Sequence, residues 1–241
     1  MAVLLLELSG PLQSWGDSSR YVKRGTRWEP TKSGVVGMLA SALGRSREDR
    51  VDDLSSLEFG VRLDQPGSLL VDFQTERPLG DSNKAMPLSY RYYLADAKFL
   101  VALAGDASWL RELDEALRHP NWPLFLGRRS CPPDTPPSRG VRDDYQDVRS
   151  ALSSEPWLAT MRYRRRHQHV TELEVACDAR EGEAAESQAD LPVSFSGAGR
   201  KYADRGVYRF RVPVNQLGDG KVPSTSSGPT KLPDHDPMGF F

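Results

Sequence analysis

At 241 residues, 38% of them apolar and 27% charged, the chain can form one large domain or a domain with a smaller companion, with a core of ordinary size. A formal net charge of −1 and an isoelectric point near 6.4 exclude a generic polycationic coat for nucleic acid. Two widely spaced cysteines, Cys131 and Cys177, exclude a zinc motif and a disulfide framework; with no basic leader and no apolar run long enough to span a bilayer, a cytoplasmic protein without membrane contact is expected.

The near-neutral total conceals segregation along the chain. From Asp17 to Arg47 there are seven Lys or Arg against two acids, whereas from Thr171 to Asp190 there are seven acids and one Arg. Each run alone suits a solvated face, but together they point to one basic functional face.

Val3 to Leu8 reads as a strand covered on both faces, and Gly10-Pro11 stops it, because Pro11 has no N–H for a ladder. The loop that follows displays Gln13, Ser14 and Trp15 and then Arg20, Lys23, Arg24 and Arg27, a combination suited to a flat, anionic ligand such as a nucleotide chain. Trp15 is either a stacking platform or a core anchor beneath the loop. Thr31 or Ser33 caps a helix from Gly34 to Leu43, and Lys32 and Ser33 place donors at its positive end. Pro30-Thr-Lys-Ser-Gly34 lacks the upstream glycine of a phosphate-binding P-loop, so plain capping competes with an anion site.

Phe59 to Leu63 alternates as a half-buried strand, Pro66-Gly67 turns the chain, and Leu69 to Phe73 is expected to return as its hairpin partner. Periodicity then fails from Gln74 to Leu94, a stretch carrying Lys84, Arg91 and Tyr92 that reads as a projection, although its tyrosines could equally pack back on the sheet. Ala97 to Ala104 is a strong strand, followed by an amphipathic helix from Trp109 to Arg118 capped by Ser108. A last strand is expected at Trp122 to Leu126, then the Gly-turned pair Arg128-Arg129, suited to phosphates or base edges, and a linker over Asp134 to Asp144.

Strands are expected at Met161 to Tyr163, Thr171 to Cys177 and Val207 to Val214, with an acidic loop between the last two and a disordered tail after Asn215. The fold class is α+β: a ferredoxin-like (RRM-like) βαββαβ domain over 1–133 with a thumb insertion at 74–94, a small β-rich C-terminal domain over 134–214, and a tail over 215–241. Two helices on one sheet face would leave the other face open to a ligand.

Four stretches in this order, Gly10-Pro-Leu-Gln-Ser-Trp-Gly16, Pro30-Thr-Lys-Ser-Gly-Val-Val-Gly-Met-Leu39, Tyr92-Tyr-Leu-Ala-Asp-Ala97 and Leu126-Gly-Arg-Arg-Ser-Cys-Pro132, resemble the CasD family of subunits of type I-E CRISPR Cascade complexes. The likeness is strong over residues 3–133 and loose over 134–214. It implies an RNA-binding protein that holds the 5′ handle of the crRNA at one end of the backbone filament and contacts the large subunit, while another subunit cuts the precursor. Target DNA would be met only through the complex, and no metal or cofactor is implied. Carried onto this chain, Gln13 to Trp15, Arg20 to Arg27, Lys32-Ser33 and Arg128-Arg129 would line the handle, and Gln74 to Tyr93 would be the thumb. The thumb is short for the family, and the tail is not a family feature.

The competing reading is a metal-independent endoribonuclease acting on repeat RNA. Such cleavage needs a base and an acid, and His167 with His169, which in a strand would point to one face, are the dense candidates. A subunit that binds protein alone is a third reading, at odds with the cations of the first loop.

Overall fold

The computed structural model of the chain describes residues 1–16, 22–75 and 87–217. In chain order these form β1 (Ala2–Ser9), β2 (Leu12–Gln13), β3 (Lys23–Arg24), α1 (Lys32–Ala42), α2 (Asp52–Ser55), β4 (Glu58–Gln65), β5 (Ser68–Gln74) and β6 (Ser89–Ala95). There follow β7 (Lys98–Gly105), α3 (Ala107–Arg118), β8 (Ser138–Arg142), α4 (Val148–Ser154), α5 (Met161–Arg166), β9 (Glu172–Asp178), β10 (Glu186–Ser194) and β11 (Lys201–Pro213). One sheet has the strand order β10-β11-β9-β4-β7-β1-β8. In the second, β6 pairs with β5 along its length and with the short β2 and β3 on its other side.

The alternation of side chains along β1 and β7 builds both layers of the core. Leu4, Leu6 and Leu8 of β1 and Phe99, Val101 and Leu103 of β7 face α1 and α3, which supply Val35, Val36, Leu39, Leu110, Leu113 and Leu117. Val3, Leu5, Leu100 and Ala102 face the opposite layer. That second face is not open, contrary to expectation. Val148, Ala151 and Leu152 of α4 cover it, with Leu173, Val175 and Cys177 of β9 alongside. A Cβ on Gly60 of β4 would fall 2.5 Å from Val148 Cγ1, so helix and sheet are in close contact there. Arg62, fully buried on β4, donates to Asp64 (2.6 and 2.9 Å) and to the carbonyls of Leu152, Glu155 and Pro156 (2.7 Å each), which fastens the end of α4 to the sheet.

The expected hairpin between Phe59–Leu63 and Leu69–Phe73 does not form. β4 pairs with β7 and β9, while β5 pairs with β6 from Ser68 opposite Ala95 to Gln74 opposite Ser89. Gly67, at φ +74°, sends the chain out of the first sheet, and its missing side chain admits the Ala95 carbonyl, which a Cβ would meet at 2.5 Å. β5 leaves Leu69, Val71 and Phe73 in solvent, Phe73 at 67% exposure. Trp122 to Leu126 forms no strand; the fourth strand next to β1 is β8, inside the segment expected as a linker.

Met161 to Tyr163 is helical, the cap of α3 is Asp106 instead of Ser108, and the acidic loop before β11 contains β10. Residues 134–214, expected as a domain of their own, share the large sheet: β8 pairs with β1 and β9 with β4. Of the expected tail, residues 218–241 lie outside the described residues. No helix among the described residues is long and apolar enough to cross a membrane.

Candidate nucleic-acid interface

The loop after β1 is held from within. Gln13, fully buried, donates from Nε2 to the carbonyls of Leu8 (3.0 Å) and Ala97 (2.8 Å) and accepts the Trp15 indole N–H at 3.1 Å. Trp15 is itself 0% exposed and belongs to the core around α1. Ser14 donates to the Tyr92 carbonyl at 3.0 Å. These three residues, expected to face RNA, therefore anchor the loop instead, because an amide, an indole and a hydroxyl can satisfy one another and the strand ends in a dry site.

The start of α1 is likewise occupied. Lys32 is buried and its Nζ lies 2.8 Å from Asp178, while its backbone N–H donates to Asp190 at 2.8 Å. Arg205 joins both carboxylates, at 2.6 Å to Asp190 and 2.8 Å to Asp178. Ser33 contacts Thr31, the N-cap, whose hydroxyl accepts from Gly34 N–H at 3.1 Å. The carboxylate of Asp190 thus takes the place at the positive helix end where an external anion was expected.

A different set of cations is brought together on the second sheet. β3 runs parallel to β6, with Lys23 beside Tyr90 and Arg24 beside Arg91, and Lys23 Nζ lies 5.5 Å from the centre of the Tyr92 ring. Arg128 reaches into this sheet: it donates to the carbonyls of Tyr92 (3.2 Å), Arg24 (2.8 Å) and Gly25 (3.2 Å) and stacks 4.7 Å above the Tyr93 ring. Its approach depends on Gly127 at φ +85°, where a Cβ would overlap the Ser14 carbonyl oxygen at 1.8 Å. Arg128 is a staple between three segments, and the adjacent Arg129 is the exposed member of the pair. Behind the turn, burial pushes the Cys131 thiol above its usual range.

Arg27 closes the loop through its N–H to the Trp15 carbonyl at 3.0 Å, and Thr26 accepts from Trp15 N–H at 2.9 Å. Among the described residues of this loop, the acid turns inward. Glu29 is buried and receives Arg209 at 2.5 and 2.8 Å, an arrangement that raises the Arg209 pKa above its ordinary value. Lys23 and Arg24 are exposed and Arg27 half-buried, and Trp28 follows with an indole 56% exposed. The sequence signal for Trp28 is its place directly after Arg27 in the basic run, where it is less conspicuous than Trp15 in the Gln-Ser-Trp stretch. Arg91 stands opposite Asp72 in the β5–β6 pair. Arg20 and Lys84 lie outside the described residues.

The expected histidine pair is not arranged as in a strand. His167 caps α5, its Nδ1–H donates to the Tyr163 carbonyl at 2.9 Å, and its ring stacks on Tyr163 at 4.0 Å. His169 lies 5.8 Å from it, tilted by 57°.

Residues 3–208 match the family model described as CRISPR-associated protein (Cas_Cas5). The chain belongs to the Cas5 family. This Cas5 chain is 33% identical over 177 residues to the CRISPR system Cascade subunit CasD of Escherichia coli K12, covering 64% of the chain and 77% of that protein. Among solved structures, it is similar to a Cas protein (36% identity, TM-score 0.70, covering 90% of this chain and 98% of that one). It is also similar to a chain of a CRISPR RNA-guided surveillance complex (32% identity, TM-score 0.71, covering 91% and 95%). The matched range includes both Lys23 to Trp28 and the Arg128-Arg129 turn.

Proposed function

We propose that the chain is a non-catalytic crRNA-binding subunit of a type I-E Cascade complex, holding the 5′ handle on the face formed by Lys23, Arg24, Arg27, Trp28 and Arg129. The observation that carries this reading is the sorting of side chains among the described residues of the first loop: Glu29 and Lys32 are buried in ion pairs, whereas Lys23, Arg24 and the indole of Trp28 are exposed. Guanidinium and ammonium groups take phosphates, and an exposed indole stacks on an unpaired base. The similarity to the E. coli Cascade subunit supplies the setting.

The strand order β4-β7-β1-β8, antiparallel throughout, with α1 and α3 on one face, supports a ferredoxin-like reading of this part of the sheet. The β5–β6 pair around residues 74–94 is the thumb, and its exposed Leu69, Val71 and Phe73 suit burial against the neighbouring backbone subunit. The large subunit is reached from the handle face, and target DNA through the complex.

The purified full chain incubated with labelled handle octamer and, separately, with the complete repeat, in chelator, tests the proposal. Retention of both without cleavage is expected, with binding that weakens as salt rises. Cleavage of the repeat that disappears in His167→Ala would replace this reading with the endoribonuclease one.

A further inference from the structure

A cleft of about 820 Å³ opens between the end of β1, the β4–β5 and β6–β7 turns and α5, and none of the handle-face residues lines it. Arg162, Tyr163, Arg166 and His167 of the α5 segment line it, together with the carboxylates of Asp96 and Asp134. Lys98, also in the lining, is held by Glu7 at 3.2 Å.

The arginines of α5 are divided in their use. Arg164 donates to the Ala159 carbonyl at 3.0 Å and lies 4.8 Å over the Trp157 ring, so it is structural. Arg162, Arg165 and Arg166 are exposed and form no ion pair with a described residue, whereas Arg149, Arg205 and Arg209 of the same half of the chain are all paired with carboxylates. Cations at the end of a helix meet its partial negative charge, but three within two turns also repel one another mildly, a repulsion that a bound anion would relieve. Beside them, Tyr163 and His167 form a flat stack at 4.0 Å and 18°, braced edge-on by Trp157 at 6.4 Å. Planar rings flanked by exposed guanidiniums are the chemistry of single-stranded nucleic-acid binding, in which bases stack and phosphates are tracked by charge. The cleft has the volume of a small-ligand site, enough for a nucleotide.

We propose that α5 and this cleft form a second nucleic-acid site, which takes a phosphodiester segment of a single strand across Arg162 and Arg166 and seats one nucleotide against Tyr163 and His167. It is separate from the handle face and does not depend on that assignment.

The test uses the full chain saturated with unlabelled handle octamer and titrated with fluorescent oligo-dT or oligo-rU, read by anisotropy, in wild type, Arg162→Gln/Arg166→Gln and Arg129→Gln. Both α5 side chains are exposed, and a thermal melt verifies the fold of each variant. The expected result is binding to the octamer-loaded wild type and to Arg129→Gln, and affinity lower by about tenfold in the double variant with octamer affinity unchanged. The relative strength of the two oligonucleotides states whether the strand is DNA or RNA. Equal affinity in the double variant, or no binding to wild type, overturns the proposal. A parallel loss of octamer affinity overturns the separateness of the site. Should the octamer fail to bind at all, the handle reading falls while the α5 comparison is made on the unloaded protein.

Discussion

The Cα of Gly34 rests against the indole of Trp15: a methyl group placed on it would lie 2.9 Å from Cε3 and 3.1 Å from Cζ3. The first loop and α1 are thereby locked to each other, and the tryptophan that a reader of the sequence would offer to RNA is committed to this contact. Gly34→Ala should destabilise the protein by about 1–3 kcal/mol through overpacking, and Trp15→Ala by about 3–5 kcal/mol, both measured by urea unfolding. The folded fraction of each variant should bind the handle as wild type does. Weakened binding at undiminished stability would return Trp15 to the RNA surface.

In the proposed interface the stacking role passes to Trp28. Trp28→Ala is expected to weaken handle binding by about 1–3 kcal/mol with little change in the unfolding midpoint, since the side chain is largely in water already. An unaltered dissociation constant would remove Trp28 from the interface.

Arg128 and Arg129 should separate cleanly despite their adjacency. Arg129→Ala should lower affinity and reduce the slope of log K against log salt by about 0.7, the share of one phosphate on a single strand. Arg128→Ala removes hydrogen bonds to three carbonyls and should cost about 1–3 kcal/mol of stability, which Arg128→Lys does not restore because an ammonium lacks the planar fork. Equal salt slopes and equal stabilities for the two alanine variants would contradict this division.

Lys32 belongs to the interior as well. Lys32→Met should cost about 3 kcal/mol by leaving Asp178 with Arg205 as its one cationic partner, and the folded variant should hold the handle at wild-type affinity. A loss of RNA binding at normal stability would place the ammonium at the interface.

The bidentate pair Arg149–Glu183, at 2.7 and 2.6 Å, ties α4 to the turn before β10 and draws the Glu183 pKa from its ordinary value of 4.5 to about 2. Because the folded-state pKa is the lower, the pair's contribution is complete above pH 4.5 and is lost as pH falls from there toward 2. Urea unfolding at a series of pH values should show a shallower decline across that window for Glu183→Gln than for wild type. Parallel declines would mean that the pair is broken in solution.

The elements that announce themselves in the sequence are those whose environment is uniform along their length. β1 and β7 are apolar on both faces and were legible as such, and α3 carries its apolar stripe openly. Pairing was not legible. The strand after Pro66-Gly67 looked like the partner of β4, but the turn redirects it to a second sheet, a choice made by the Ala95 carbonyl contacting Gly67 from far along the chain. The site was half legible for a related reason. Composition located the basic loop, but only the fold decides that Lys32 meets Asp178, that Glu29 meets Arg209, and that Gln13 and Trp15 satisfy each other. Met161 to Arg166 has too few apolar residues to show a period, so its helix comes from the Thr160 cap and from packing on Trp157.

The large sheet also sets an order of assembly. β4 pairs with β7 on one side and with β9 on the other, and β9 is made long after β4 has emerged. During synthesis the strand already paired on its β7 side presents a bare edge of N–H and C=O groups until the acidic C-terminal strands arrive, and such an edge invites pairing with another nascent chain. Closing that long loop is a slow step. The last strands therefore serve as the sheet's own protective seal, and a chain released before them would keep that adhesive edge bare.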